Sequence, residues 1–345
     1  MRFQCNYLVK TFIILFTLLL IPSVVYAKDY IYAACSNVLH VIDCETDTVV
    51  DKIRYNDYIA EGEPSKDGNN YYMHNWHKIY NVNTNKNEIV DIYRFETDTT
   101  DFFIGDIAVS QNNQNLYISS VITKRKSNVP KLNVQPPQLI VFDIDESRMI
   151  KSYEIPYNIG EILTLRNDPN HLILVGYDIF KFNLNTGEYE VIKKLTKEDN
   201  PRFVKYNQFP QWKNWSPGDH GVFSEPAYGP KGLYYLLIDR NNSEVSMLHG
   251  EEVHMMYSTT ISPNQEYIYG VMDEIAKVDL ETGETVASKL TDKGTYYSVA
   301  ITSDGEKVYA GPGGNDITVY DAENLEKMSV IPLESDGAVM HRITK

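Results

Sequence analysis

The same short phrase recurs seven times along this chain: an apolar strand ends in Asp or Asn, a polar turn follows, and a second short strand leaves it. The markers read as Asp43, Asn81, Asp143, Asn183, Asp239, Asp279 and Asp321. They are separated by 38, 62, 40, 56, 40 and 42 residues, so four spacings sit near one period and the two long ones read as a period plus an insertion. A strand-only repeat of about 40 residues is the signature of a β-propeller blade, which cannot bury its faces alone and must stack on its neighbours.

The seventh repeat supplies the template. Tyr297 to Thr302 alternates as a strand, Ser303-Asp304-Gly305 is a turn, and Lys307 to Ala310, Asp316 to Tyr320 and Lys327 to Leu333 are three further strands. That pattern is one four-stranded blade. The first repeat lacks its first strand, because Tyr30-Ile31-Tyr32-Ala33 already matches the template's second. Ala338 to Ile343 is a spare alternating segment after the seventh blade. The expected fold is therefore all-β, a seven-bladed β-propeller of four-stranded blades over residues 28–345. Its ring is closed by the C-terminal strand joining the N-terminal blade, which removes an aggregation-prone open edge.

Residues 1–27 read differently. Arg2 and Lys10 precede an apolar stretch from Phe12 to Val25, and Val25-Tyr26-Ala27 offers small residues for cleavage. This is the pattern of a secretory signal peptide, with an apolar run short for a membrane span. Loss of Arg2 and Lys10 takes the net charge from −15 to −17. Such a surface argues against nucleic acid or an anionic membrane as partner. Cys35 and Cys44 fall in the first blade, too far apart along their hairpin for a disulfide, and are expected as packed free thiols. The 26 tyrosines, many in strands, are expected to pack between blades.

Two stretches break the period. Residues 123–138 carry a basic spot (Lys124, Arg125, Lys126, Lys131) between the second and third strands of blade three. Residues 195–220 precede the expected first strand of blade five and hold Trp212 and Trp215. Loops of this length in compact domains are commonly functional or disordered, and the aromatic content argues against disorder for the second. Chemistry is otherwise sparse. No Gly-x-Ser-x-Gly elbow, Gly-rich phosphate loop or Cys-x-x-Cys-His haem motif occurs. His74 and His77, three apart on a strand, point to opposite faces and cannot share an ion unless a turn intervenes. His249 and His254 flank Glu251 and Glu252 in what reads as a solvated acidic loop.

The segments WSPGDHGVFSEPAY (215–228), YYLLIDRNNSEV (234–245), YSTTISPNQEYIYGVMDEIAKVDLETGETV (257–286) and TYYSVAITSDGEKVYAGPGGNDITVYDAENLEKMSVIPL (295–333) resemble the β subunit of quinohaemoprotein amine dehydrogenase. The opening YAACSNVLHVIDCETDTVVDKI (32–53) is similar in kind, a pattern shared by many YVTN-type propellers. The resemblance implies a periplasmic, non-catalytic propeller that assembles with a dihaem cytochrome α subunit and a small γ subunit carrying cysteine-tryptophylquinone. Quinone and haem c then belong to the partners, and no catalytic, cofactor or metal residue carries over to this chain. A water-excluding wall around the quinone protects a reactive intermediate of amine oxidation. Trp212, Trp215, Asp219, His220 and Phe223 are the expected partner contacts, since aromatics are enriched at binding hot spots; a structural cap on the propeller is the alternative for the two tryptophans. A free-standing secreted propeller that binds protein or cell-surface glycan is the alternative for the whole chain, and a lactonase-like hydrolase finds no support in the residues.

Overall fold

The computed structural model describes residues 27–125, 131–195, 204–205, 220–229, 231–292 and 294–345. The signal-like segment before Ala27, Trp212, Trp215 and Asp219 lie outside them.

The described residues form 29 strands and no helix. Blade one contains β1 (Asp29–Cys35), β2 (Val38–Asp43) and β3 (Thr48–Arg54). Blade two is β4 (Glu61–Pro64), β5 (Asn70–His74), β6 (Lys78–Asn83) and β7 (Glu88–Arg94). Blade three is β8 (Thr100–Val109), β9 (Asn115–Arg125), β11 (Gln138–Asp143) and β12 (Arg148–Glu154), with a spur β10 (Leu132–Val134). Blade four is β13 (Glu161–Thr164), β14 (His171–Val175), β15 (Ile179–Asn183) and β16 (Tyr189–Lys193); blade five is β17 (Val204–Lys205), β18 (Val222–Gly229), β19 (Gly232–Asp239) and β20 (Glu244–His249). Blade six is β21 (Ser258–Ile261), β22 (Tyr267–Val271), β23 (Glu274–Asp279) and β24 (Thr285–Leu290); blade seven is β25 (Ser298–Ile301), β26 (Lys307–Gly311), β27 (Asp316–Asp321) and β28 (Lys327–Pro332). The last strand, β29 (Gly337–Thr344), pairs antiparallel with β1, completing blade one in the order β29-β1-β2-β3. The expected seven-bladed ring and its mode of closure are both present.

Closure is tight. Tyr30 opposes Ile343, Ala33 opposes Met340 and Ala34 opposes Val339. All eight residues of β29 are buried. Met340 joins the apolar layer against blade seven, while Val339 and Ile343 join the layer against blade two. Gly337 begins the strand where a Cβ would lie 2.3 Å from the Ala34 carbonyl oxygen, so only glycine allows the approach. The core is a set of layers between successive sheets rather than one centre: Ile104 and Ile118 pack against blade two, Leu139 and Leu174 join blades three and four, and Leu163 and Leu236 join blades four and five.

Six of the seven markers cap Asx turns. Asp279 Oδ1 accepts the N–H groups of Glu281 (3.0 Å) and Thr282 (2.8 Å), and Asp321 does the same for Glu323 (2.9 Å) and Asn324 (3.0 Å). In blade two the capping residue is Asn83, which accepts from Asn85 and Lys86, and not the expected Asn81. Asn81 is buried one turn of the pleat earlier, within β6. Both asparagines fit the written pattern, and only the position of the turn separates them. Four residues after each marker the backbone is left-handed: Asp47, Asn87, Ser147, Gly187, Ser243, Gly283 and Leu325 all have φ between 50° and 80°.

These hairpins also join blades. The carbonyl one residue past the marker accepts a tyrosine hydroxyl from the preceding blade. Tyr32 reaches Thr84 O (3.2 Å), Tyr269 reaches Ala322 O (2.7 Å), Tyr309 reaches Cys44 O (3.3 Å) and Tyr153 reaches Leu184 O. Tyr32 and Tyr309 further bond the side chains of Asn87 (2.8 Å) and Asp47 (2.5 Å), the left-handed residues of the same turns. The expectation that tyrosines pack between blades holds for these four, each with an apolar body in the layer and its hydroxyl on the next turn. Cys35 and Cys44 are buried free thiols, and burial pushes both up to about 12.

The two insertions differ from expectation in form. In blade three the basic stretch is partly strand: β9 runs on to Arg125 and β10 folds back on it, Leu132 opposite Arg125. In blade five the innermost strand is β17, inside the stretch read as an insertion, so Val222–Gly229 is the second strand and not the first. A two-residue pairing carries no periodic signal, so the alternation of β18 was the first that sequence could register.

Three changes test this account. Deleting Gly337–Lys345 exposes the inner edge of β1; loss of a single cooperative melt by circular dichroism, with association on size exclusion, is expected. Tyr309→Phe removes two hydroxyl bonds across the closing joint and is expected to lower unfolding free energy by about 1–2 kcal/mol in urea titrations. Gly283→Ala combines positive φ with a Cβ placed 2.1 Å from His249 O. A loss of at least about 2 kcal/mol is expected, whereas Ser147→Gly at the matching turn of blade three is neutral or mildly stabilising.

Candidate functional site

A four-stranded antiparallel meander sends its first and third turns to one end of the ring, and its second turn and the crossover to the next blade to the other. The marker turns thus share one end, here called the lower face, with the turns between first and second strands. In blades two, three, six and seven those turns are short and self-satisfied: Ser65, Ser110, Ser262 and Thr302 each accept the N–H of the residue five positions on, at 2.9 to 3.0 Å.

The upper face is different in kind. It carries Tyr58, Trp76, Phe103, Tyr157 and Tyr177, all among the exposed large side chains of the described residues, with Trp76 45% and Tyr157 70% exposed. Tyr58 stacks on Trp76 at 6.4 Å between ring centroids, and Tyr257 on Tyr297 at 5.8 Å. The exposed Leu132 and Val134 of the β10 spur stand at the same end. Between blades three and four a cavity of about 230 Å³ opens there, walled by Phe103, Pro137, Tyr157 and Ile159 and floored by Gly105 and Ser119. Aromatic side chains with fixed bases and free faces bind partners at low entropic cost.

The turn presenting Trp76 is fixed by polar bonds. Asn75 Oδ1 accepts the N–H of His77 and of Lys78, each at 2.8 Å, and the Ile104 N–H donates to Trp76 O at 2.8 Å. Asn75 Nδ2 donates to Asp57 Oδ1 at 2.7 Å, and Lys78 Nζ and Tyr80 Oη both donate to Asp57 Oδ2. Burial works against the charge of Asp57, but those three donors outweigh it and hold its carboxyl below the usual 3.8. A turn does separate His74 from His77, yet it does not bring them together. His74 is fully buried with Nδ1 on Asn75 O at 2.9 Å. His77 faces outward, its Nδ1 3.1 Å from both Phe102 O and Asp101 Oδ1. A donor atom from each of His77, Glu96 and Asp101 lies within 4.8 Å of the others. The pattern HNWH gave no sign of this, because Glu96 arrives from the crossover after β7 and Asp101 from β8 of the next blade.

The other expected residues are spread out. His254 is not in a solvated loop: it is buried, with Nδ1 on Glu274 Oε1 (2.7 Å) and Nε2 on Thr285 Oγ1 (2.9 Å). His220 lies at the lower face, where its Nδ1 accepts the Val222 N–H (2.9 Å) and its carbonyl accepts from Asn241 Nδ2 (2.9 Å). Phe223, named as a partner contact, is fully buried in the layer between blades four and five, because the alternation of β18 turns it inward. Trp212, Trp215 and Asp219 lie outside the described residues.

No family model and no curated protein matches the chain in sequence. Solved structures do match in fold. The dihydro-heme d1 dehydrogenase NirN in complex with DHE is 14% identical, with 91% of this chain and 74% of that chain covered at TM-score 0.57. Apo AztD from Citrobacter koseri is 10% identical over 92% and 98%, at TM-score 0.57. Hydrazine synthase of Kuenenia stuttgartiensis is 13% identical over 87% and 90%, at TM-score 0.54. At these identities the likeness shows the propeller fold alone.

Asp57→Asn tests the support of the upper-face turn. Because the folded carboxyl titrates below its unfolded value, its contribution is complete above about pH 4 and is lost as pH falls through the lower folded value. The difference in stability between parent and variant is expected to be about 1–2 kcal/mol near neutrality and to shrink toward acid, read from urea unfolding across pH.

Proposed function

We propose that this protein is a non-catalytic propeller subunit of a periplasmic redox assembly, and specifically the β subunit of a quinohaemoprotein amine dehydrogenase. In that reading, residues 1–27 are a cleaved signal peptide. The upper face holds the small γ subunit that carries cysteine-tryptophylquinone, and the dihaem cytochrome α subunit packs beside it. Quinone and haem c reside in those partners; this chain orients the quinone subunit and excludes water from its site during oxidative deamination of a primary amine. Trp212, Trp215, Asp219 and His220 form a second contact through blade five, with Phe223 as the buried anchor beneath it.

The observation that carries the reading is the contrast between the two ends of the ring. Exposed aromatics gather at the upper face, Trp76 on a turn held by Asn75 Oδ1 and the Ile104 N–H, while at the lower face the marker turns and the first turns of blades two, three, six and seven are closed by Asx and Ser/Thr bonds. The fold is one that also occurs in a protein named as a dehydrogenase. The resemblance of residues 215–333 to the β-subunit family supplies the partners.

Purification of the tagged chain from its native cells, grown on a primary amine, tests this. Co-purification of a small quinone-staining protein and a c-type haem protein in equal amounts is expected, with Trp76→Ala or Tyr157→Ala weakening recovery. Tight hot-spot aromatics cost about 2 kcal/mol or more on truncation, roughly thirtyfold in affinity. A chain that elutes alone as a monomer from such cells, without haem absorbance, refutes the proposal.

A further inference from the structure

We propose that His77, Glu96 and Asp101 form a site for one divalent transition-metal ion, represented by Zn²⁺, on the upper face between blades two and three. All three donors belong to this chain. One donor atom from each residue lies within 4.8 Å of the other two, close enough for a single ion to draw all three into its shell with small side-chain movements. The set is one imidazole nitrogen and two carboxylate oxygens, so a neutral histidine and two anions balance a charge of two. An imidazole donor favours zinc and its first-row neighbours over calcium or magnesium, which prefer all-oxygen shells. Water completes the coordination, as in zinc sites with an open position.

The three residues come from three stretches of chain, each held by different backbone bonds. His77 sits on the turn locked by Asn75 and by the Ile104 N–H. Asp101 lies in β8 opposite Thr123. Glu96 precedes a small bridge between Thr97 and Thr100. Two carboxylates beside one imidazole repel each other unless a cation or proton intervenes, and the fold has brought them together. The side chains of His77 and Asp101 are 38% and 36% exposed, so an ion reaches them directly from solvent. Trp76, adjacent in sequence and exposed, gives the site an optical reporter.

Calorimetric titration of the metal-stripped full chain with ZnCl₂ at about 0.15 M salt tests the site, since that ionic strength screens diffuse binding to the acidic surface. One equivalent is expected to bind, and Glu96→Gln and His77→Gln are each expected to weaken it by about tenfold or more. Ni²⁺ is expected to compete for the same equivalent and to quench tryptophan fluorescence, with the quenching reduced in Trp76→Phe. Absence of a one-equivalent event overturns the proposal. So does an event of equal affinity in both variants, which would make the histidine and carboxylates an ordinary surface ion pair. Glu96 is exposed, so its amide variant reports on the site without burdening the fold.

Discussion

Everything in this ring depends on the pairing of β29 with β1. Seven repeats that contact only their neighbours form an open arc unless the two ends are joined, and each open end presents a sheet edge and one bare apolar face. Here the last eight strand residues are supplied from the far end of the chain and are buried on both sides, toward blade seven and toward blade two. The joint is continued beyond the strands by reciprocal backbone bonds between Lys28 and Lys345 at 2.6 and 2.9 Å. Since neither partner segment meets the other until nearly all the chain is made, closure couples the stability of every layer to contacts separated by some 300 positions in sequence.

Within the ring, buried polar side chains join first strands to their neighbours. Asp106 accepts the Ile162 N–H (2.5 Å) and Glu63 the Val109 N–H (3.3 Å), so carboxylates of blades three and two satisfy the innermost strand of the next blade; Asp29 of blade one accepts the Ser303 N–H (2.5 Å) in the first turn of blade seven. Ser298 Oγ donates to Ala338 O (2.6 Å) and Arg342 Nη1 to Ile301 O (2.8 Å) at the closing joint. An innermost strand has one edge with no strand beside it, and its buried N–H and C=O groups must find partners or cost stability. Asp106 and Glu63 on the inner strands are in this respect architectural.

The two faces divide labour. Lower-face turns are spent on blade-to-blade joints, with tyrosine hydroxyls and lysines such as Lys307 (2.8 Å to Cys44 O) seated on the marker hairpins. The upper-face turns vary in length and carry exposed aromatics, the β10 spur, the cavity between blades three and four, and the His77 cluster. A repeat scaffold can vary some turns only if others maintain the ring, and here the marker turns keep that role in every blade.

The sequence by itself determined the blade count, the four-strand plan and the closing strand, because each rests on a local period of two and on turn residues repeated at a fixed interval. Asp279 or Asp321 could be read as a turn from its neighbours alone, since an Asx turn is made within four residues. What lacked a period was misplaced: the marker Asn83, read as Asn81, and the two-residue strand β17. The candidate site was legible only in parts. Tyr58, Trp76 and His77 are visible in the sequence, but nothing local says that Asp57 clamps the turn, or that Glu96 and Asp101 arrive beside His77. Only the tertiary structure decided these, because the upper face is assembled from crossovers and turns of different blades. Their proximity follows from how the sheets stack, which no single repeat encodes.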